Sequence, residues 1–158
     1  MINKLESLEA LVRHLIKKQN LSKEKIEEAK RRFAKTTSTS MPKNSEILET
    51  YRKLRKRDKI EEKKSFEDLL RLKKVRSLSG IVPVAVMTKP YPCPGNCIYC
   101  PTQKDMPKSY LDNEPAVMRA DMADFDPYTQ VKRRLDQLHA TGHSIEKIEL
   151  IVMGGTFT

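Results

Sequence analysis

Ile81-Val82-Pro83-Val84-Ala85-Val86-Met87-Thr88-Lys89-Pro90-Tyr91-Pro92-Cys93-Pro94-Gly95-Asn96-Cys97-Ile98-Tyr99-Cys100 is the stretch from which the fold is read. Its first seven residues form a short apolar run rich in β-branched side chains, the length of a strand. Such runs suit strands buried on both faces of a parallel sheet. The loop that follows carries all three cysteines of the chain, within eight residues. Candidate chemistry therefore lies just beyond the C-terminal end of a strand, where α/β sheets and barrels place their sites.

The cysteine spacing is C-x3-C-x2-C, with Tyr99 directly before the last cysteine. Iron–sulfur clusters are held by cysteine thiolates, commonly four of them. Three thiolates with no fourth in the chain suit a cubane cluster with one iron left open. Other readings stand beside it. One is a disulfide pair plus one free thiol, though the N-terminus shows no secretory signal, with charges at Lys4, Glu6, Glu9 and Arg13. Another is three buried, inert thiols. A zinc site is the serious rival, because His139 and His143 form an H-x3-H pair downstream.

Downstream of the loop, Pro101, Pro107 and Pro115 mark irregular chain, and Glu114 to Met122 reads as a short helix carrying Arg119. Asp126-Pro127 reads as an N-cap with proline at the first helical position. That helix uses Val131, Leu135 and Leu138, runs to about Ala140 and ends at Gly142. Residues 147–153 read as a second buried strand, closed by Gly154-Gly155-Thr156. Two glycines after a strand are by themselves only a turn.

Upstream of the strand the chain is helical and basic. Leu5, Leu8, Leu11, Val12, Leu15 and Ile16 fall on one face of a helix over residues 1–19, with Asn20 as a stop. Ser22 reads as the N-cap of a second helix to about Ala34, with Ile26, Ala29 and Phe33 buried and Lys30, Arg31, Arg32 and Lys35 at its end. Residues 36–44 read as a polar linker. Asn44 or Ser45 then caps a third helix carrying Ile47, Leu48, Tyr51 and Leu54.

The net charge of +10 is unevenly spread. Residues 1–80 hold 23 Lys and Arg against 12 Asp and Glu, whereas residues 81–158 hold 8 against 9. This asymmetry points to a polyanion-binding arm joined to a near-neutral domain. Arg52, Lys53, Arg55, Lys56 and Arg57 put five cations in six residues, and Lys73, Lys74 and Arg76 follow, with Arg71. Cations of this density suit phosphate contacts, which release counterions and carry little base information. A solvated helix face is the plain alternative. No run of about 18 apolar residues exists to span a bilayer.

The cysteine spacing resembles the signature of the radical S-adenosylmethionine (SAM) superfamily. A narrower resemblance is to the catalytic subunit of Elongator. It rests on Val75-Arg76-Ser77-Leu78-Ser79-Gly80, Val84-Ala85-Val86-Met87-Thr88-Lys89-Pro90, Ser109-Tyr110 with Glu114-Pro115, Asp126-Pro127-Tyr128, and Ile148 through Phe157. It covers residues 36–158 well, and residues 1–35 only in being helical and basic. The archaeal branch of that family acts as a tRNA uridine(34) acetyltransferase. The resemblance implies a [4Fe–4S] cluster on Cys93, Cys97 and Cys100 whose open iron chelates SAM. It implies Tyr99 near the adenine, and Gly154, Gly155 and Thr156 as a GGE-like motif that binds the SAM amino group. It implies radical attachment of a two-carbon unit from acetyl-CoA to C5 of a tRNA wobble uridine, a carboxymethyl-type modification.

The expected fold is α/β. A helical basic tRNA-binding region spans 1–75, and 76–158 begin a radical SAM partial (β/α) barrel, through its first βα unit and second strand. On this reading the rest of the barrel and a C-terminal GNAT acetyltransferase domain are absent from the chain, so acetyl-CoA residues have no positions here. A cytoplasmic setting and a homodimer of the full-length protein are further expectations. Two functions of other classes compete: a basic nucleic-acid-binding module with a structural Cys/His zinc site, and a helical interaction domain with incidental cysteines.

Overall fold

A computed structural model describes residues 4–155, with side chains from Glu6 onward. Leu5 in the first helix's apolar stripe, and Thr156 in the glycine motif, therefore lie outside the described side chains. The chain divides into two units, one formed by Met1–Val75 with His139–His143 and the other by Arg76–Leu138 with Ser144–Thr158.

The first unit is built from α1 (Lys4–Lys17), α2 (Lys23–Thr37), α3 (Asn44–Asp58) and α4 (Lys64–Leu70). Their apolar stripes meet in one core. Leu8, Val12, Leu15 and Ile16 come from α1, Ile26 and Phe33 from α2, Ile47, Leu48, Tyr51 and Leu54 from α3, and Phe66 and Leu70 from α4. Burial of each large apolar side chain contributes roughly 1.5–3 kcal/mol. Tyr51 is fully buried against the Phe66 ring, with centroids 4.9 Å apart, and its hydroxyl accepts from the Lys63 amide at 2.8 Å. A buried phenol needs such a partner.

Local signals account for most helix ends. Asn20 takes a positive φ of 53°, and the Ser22 hydroxyl accepts from the Lys25 amide at 3.4 Å. Two boundaries and one whole helix differ from expectation. Helix α2 continues to Thr37, where Ser38 turns left-handed. Helix α3 is capped at Lys43, because the Glu46 carboxylate reaches back to the Lys43 amide at 2.6 Å. The Asn44 side chain is instead committed elsewhere, accepting from the buried Lys30 ammonium at 2.9 Å and donating to Leu70 O at 3.0 Å. Helix α4 has no counterpart in the sequence reading. The segment 139–143 packs in this unit through Gly142 (φ +90°), where a Cβ would meet Leu48 at 3.2 Å and the Arg71 backbone at 3.3 Å. The Arg71 side chain donates to Gly142 O at 2.7 Å.

The second unit holds a two-stranded parallel sheet. Strand β1 (Val82–Met87) pairs with β2 (Ile148–Met153) in the register Val82↔Ile148 to Met87↔Met153. Between them come α5 (Pro115–Asp121) and α6 (Pro127–Ala140), whose last two residues are counted with the first unit. Strand residues alternate between faces. Val82 and Val84 bury against Leu138, with Val131, Leu135 and Ile145 around them. Met87 points the other way, into a cluster with Val117, Ala120 and Phe125. Helix α6 is capped as Asp126-Pro127 suggests: the Thr129 amide donates to the Asp126 carboxylate at 2.7 Å. Hydrogen bonding from the Thr129 side chain, and then from its amide, holds the Asp126 carboxyl below the usual range.

One expectation for β2 is corrected. Residues 147–153 read as a buried strand, yet Ile148, Leu150, Ile151 and Val152 are 40–56% exposed. Among the described residues β1 is its only neighbour, and both helices of the unit pack on β1 residues.

Candidate functional site

The cysteine loop leaves β1 at Met87, and that departure point is fixed from two sides. On one side Thr88 continues the ladder, its amide donating to Met153 O at 2.8 Å. On the other, the buried Gln130 side chain of α6 pairs with the Met87 backbone in both directions: Met87 N donates to Oε1 and Nε2 donates to Met87 O, each at 2.9 Å. One amide thus replaces a neighbouring strand. Sequence reading did not find Gln130; its only signal is a polar residue one turn before Arg134 in the same helix.

The loop itself is open. Cys97, Ile98 and Tyr99 are exposed, and Cys93 and Cys100 are half-buried. A Cβ placed on Gly95 would lie 3.6 Å from the Cys93 sulfur and 3.7 Å from the Cys97 sulfur, so these two thiols flank a common point. The Cys100 amide donates to Cys97 O at 3.1 Å, closing a tight turn. The Cys100 sulfur lies 3.2 Å from the Ser109 hydroxyl. Ser109 holds that place with a left-handed φ of 72° and an amide N–H that donates to Pro101 O at 3.3 Å. Three soft, accessible sulfurs on one loop have the donor chemistry of a metal or cluster site. As thiols they are not drawn together: among the described residues no group of three or more His, Cys, Asp or Glu side chains converges on one metal position.

The glycine pair lies at the same end of the sheet. A Cβ on Gly154 would fall 2.0 Å from the Thr88 hydroxyl oxygen, and one on Gly155 would fall 2.1 Å from Lys108 O. Both positions exclude a side chain because of the protein's own neighbours, in addition to any ligand. Lys108 precedes Ser109, so the pair abuts the segment that touches Cys100.

The cations named from sequence divide into paired and unpaired. Arg52 faces Glu67 at 3.5 Å and donates to His139 O at 2.8 Å. Arg55 faces Glu62 at 3.3 Å and Glu67 at 3.6 Å, and Lys53 meets Glu49 at 2.7 Å. Arg57 grips both Glu9 oxygens, at 2.7 and 3.1 Å, and holds Asp58 at 3.0 Å. Arg57 lowers the Glu9 and Asp58 carboxyls, and its own pKa rises further. The ammonium or guanidinium groups of Lys56, Lys73, Lys74 and Arg76 are exposed and have no recorded partner among the described residues. Exposed ion pairs contribute little and can exchange partners, so the paired residues also remain available to a polyanion. His139 is exposed and His143 is buried.

No family model matches the chain. It is 43% identical over 158 residues to a protein of Methanocaldococcus jannaschii named tRNA uridine(34) acetyltransferase, covering 95% of this chain and 28% of that protein. It is 55% identical over 82 residues to a protein of the same name from Dehalococcoides mccartyi, covering 52% of this chain and 18% of that one. It is 41% identical over 156 residues to Elongator complex protein 3 of Dictyostelium discoideum, covering 89% of this chain and 25% of that one. The chain thus spans about a quarter of the length of the curated relatives it matches end to end.

Proposed function

The chain belongs with the tRNA uridine(34) acetyltransferases and Elongator complex protein 3, and on that premise we propose that it supplies the cluster-holding and RNA-facing part of a radical SAM enzyme that modifies C5 of the tRNA wobble uridine. The observation that carries this reading is the three-cysteine loop at the C-terminal end of β1, within a chain similar to a protein named tRNA uridine(34) acetyltransferase over 95% of its length. Cys93, Cys97 and Cys100 would hold a [4Fe–4S] cluster, and Tyr99, Gly154, Gly155 and Thr156 would meet SAM beside it. Together those cofactors supply a carbon-centred radical, suited to a base carbon whose C–H bond is not activated. The acetyl donor, acetyl-CoA, would be bound by parts of the longer protein. What this chain's own residues do is narrower. Gln130 and Thr88 fix where the loop begins, Ser109 holds the Cys100 sulfur, and the unpaired cations offer phosphate contacts.

Anaerobic iron–sulfur reconstitution tests the reading. We expect about four irons per chain and a brown chromophore. Cys93→Ala, Cys97→Ala or Cys100→Ala should each abolish them. In a protein of the relatives' full length, SAM should alter the electron paramagnetic resonance spectrum of the reduced cluster, because its one open iron gains new ligands. Stoichiometric zinc with no iron would overturn the enzyme reading in favour of a zinc-bearing nucleic-acid module.

A further inference from the structure

The Cys100 sulfur and the Ser109 hydroxyl oxygen lie 3.2 Å apart, across nine residues of chain. The chemistry of the two partners assigns the proton between them. A thiol at Cys100 has a single hydrogen, and Pro101 O is a second acceptor for it, 3.6 Å away. A cysteine that ligates iron does so as a thiolate and has no hydrogen to give. Ser109 is then the donor, through an O–H···S bond to a charged acceptor. Among the described residues that hydroxyl has no other partner to compete for it.

The backbone holds the hydroxyl in place. Ser109 takes a φ of 72°, which a residue with a side chain adopts only where its surroundings impose it. Its amide donates to Pro101 O at 3.3 Å, which ties it to the residue after Cys100. On one side Lys108 is fixed twice: its ammonium donates to Thr102 Oγ1 at 2.9 Å, and its carbonyl leaves no room for a Cβ at Gly155. On the other side the Tyr110 amide donates to Pro107 O at 3.2 Å, and Tyr110 packs against the Met87 cluster. The hydroxyl is therefore carried on a loop anchored near the ends of both strands.

The three soft, accessible sulfurs of the neighbouring loop have the donor chemistry of a cluster site. Hydrogen bonds to ligand sulfurs are among the levers that set a cluster's reduction potential. Reduction adds one electron and one negative charge, shared in part by those sulfurs. A donor aimed at one of them favours the more negative state.

Resting on the cluster reading above, we propose that Ser109 sets the potential of the site: its hydroxyl donates to Cys100 Sγ and eases the one-electron reduction of a [4Fe–4S] cluster held there. The electron comes from a low-potential one-electron donor outside the chain. Ser109 gives up no proton and changes no covalent bond. It acts through Cys100 and is a positioning residue.

Redox titration of the reconstituted 158-residue chain without SAM tests this, with dithionite as the electron donor and electron paramagnetic resonance following the reduced cluster. Two variants remove the hydroxyl with opposite effects on the backbone: Ser109→Ala keeps the cost of a φ of 72°, and Ser109→Gly relieves it. Both should take up iron as the parent does. Both should be harder to reduce, by about three- to tenfold in the reduction equilibrium, where tenfold is about 59 mV for a one-electron couple. Thr102→Val removes a hydroxyl of the same loop that accepts from Lys108, and it should titrate like the parent. In heavy water the iron–sulfur stretching bands of the parent should shift in resonance Raman spectra more than those of either Ser109 variant, because the hydrogen on the sulfur exchanges. Potentials equal to the parent's in both Ser109 variants would overturn the role of Ser109 and leave the cluster reading standing. A shift in Thr102→Val as large as that in Ser109→Ala, or shifts of opposite sign in the two Ser109 variants, would trace the change to the loop backbone and overturn it too. Loss of iron from both variants would make Ser109 part of building the site and not of tuning it, which also overturns the proposal. A parent that takes up no iron overturns the cluster reading and the role of Ser109 together.

Discussion

At the scale of single residues, Gly154 and Gly155 carry the sharpest constraint. Sequence alone gave a reason from outside, the close approach of a ligand. The structure adds one from inside. At Gly155 the obstruction is the Lys108 carbonyl, 2.1 Å from an added Cβ, and backbone cannot rotate aside. At Gly154 the nearest obstruction is the Thr88 hydroxyl, 2.0 Å away, with the Thr88 Cβ at 3.1 Å. Overpacking of this kind costs roughly 1–3 kcal/mol, sometimes more. Gly155→Ala should therefore lower the urea midpoint of the second unit, and no second-site trimming of a side chain should restore it. Gly154→Ala should lower it too, but Thr88→Ala in the same chain should recover most of the loss. An unchanged midpoint for Gly155→Ala would remove the internal role. Because Lys108 adjoins Ser109, substitution at 155 should also loosen the cysteine loop, so loss of iron there would not by itself report on SAM.

At the scale of elements, the junction of β1 and α6 decides where the cysteine loop starts, and it rests on Gln130. Replacing Gln130 with Met keeps the volume and leaves Met87 N–H and C=O without partners in a buried place. Each unsatisfied group costs about 1–3 kcal/mol. Gln130→Met should shift the denaturation midpoint accordingly and speed hydrogen exchange at the Met87 amide; unchanged exchange there would show that the fork does not hold the strand. The same junction separates what was legible from what was not. Ser22 and Asp126 were readable as caps because each bonds an amide three residues ahead, within its own segment. The start of α3 was misplaced because Asn44 bonds Lys30 and Leu70, 14 and 26 residues away. Gln130 was missed for the same reason: its partner is 43 residues distant. The strands were found because an apolar run of that length has few other readings, whereas the ion pairs of Arg52, Arg55 and Arg57 could not be read from charge density.

At the scale of the whole molecule, the apolar second strand and the excess positive charge act against each other. Strand β2 has the composition of an interior strand, yet Leu150 and Val152 on one face and Ile151 on the other are 40–56% exposed, and the edge away from β1 is unpaired among the described residues. An exposed apolar edge of this kind is a template for another strand. The net charge of +10 holds copies of the chain apart. Salt screens that repulsion over a distance of about 8 Å at physiological ionic strength and does not weaken apolar contact. The 158-residue chain should therefore stay monomeric at low salt and associate as salt is raised, in a concentration-dependent way visible by sedimentation velocity. Binding of a polyanion through the same excess charge must run the opposite way, weakening as salt rises. Leu150→Lys/Ile151→Lys should suppress the association at every salt concentration and leave tRNA affinity no weaker. Val75→Lys/Leu78→Lys, at exposed apolar residues outside β2, should not suppress it to the same degree. Association that is equal in the β2 variant, or that weakens as salt is added, would place the contact elsewhere and make it electrostatic.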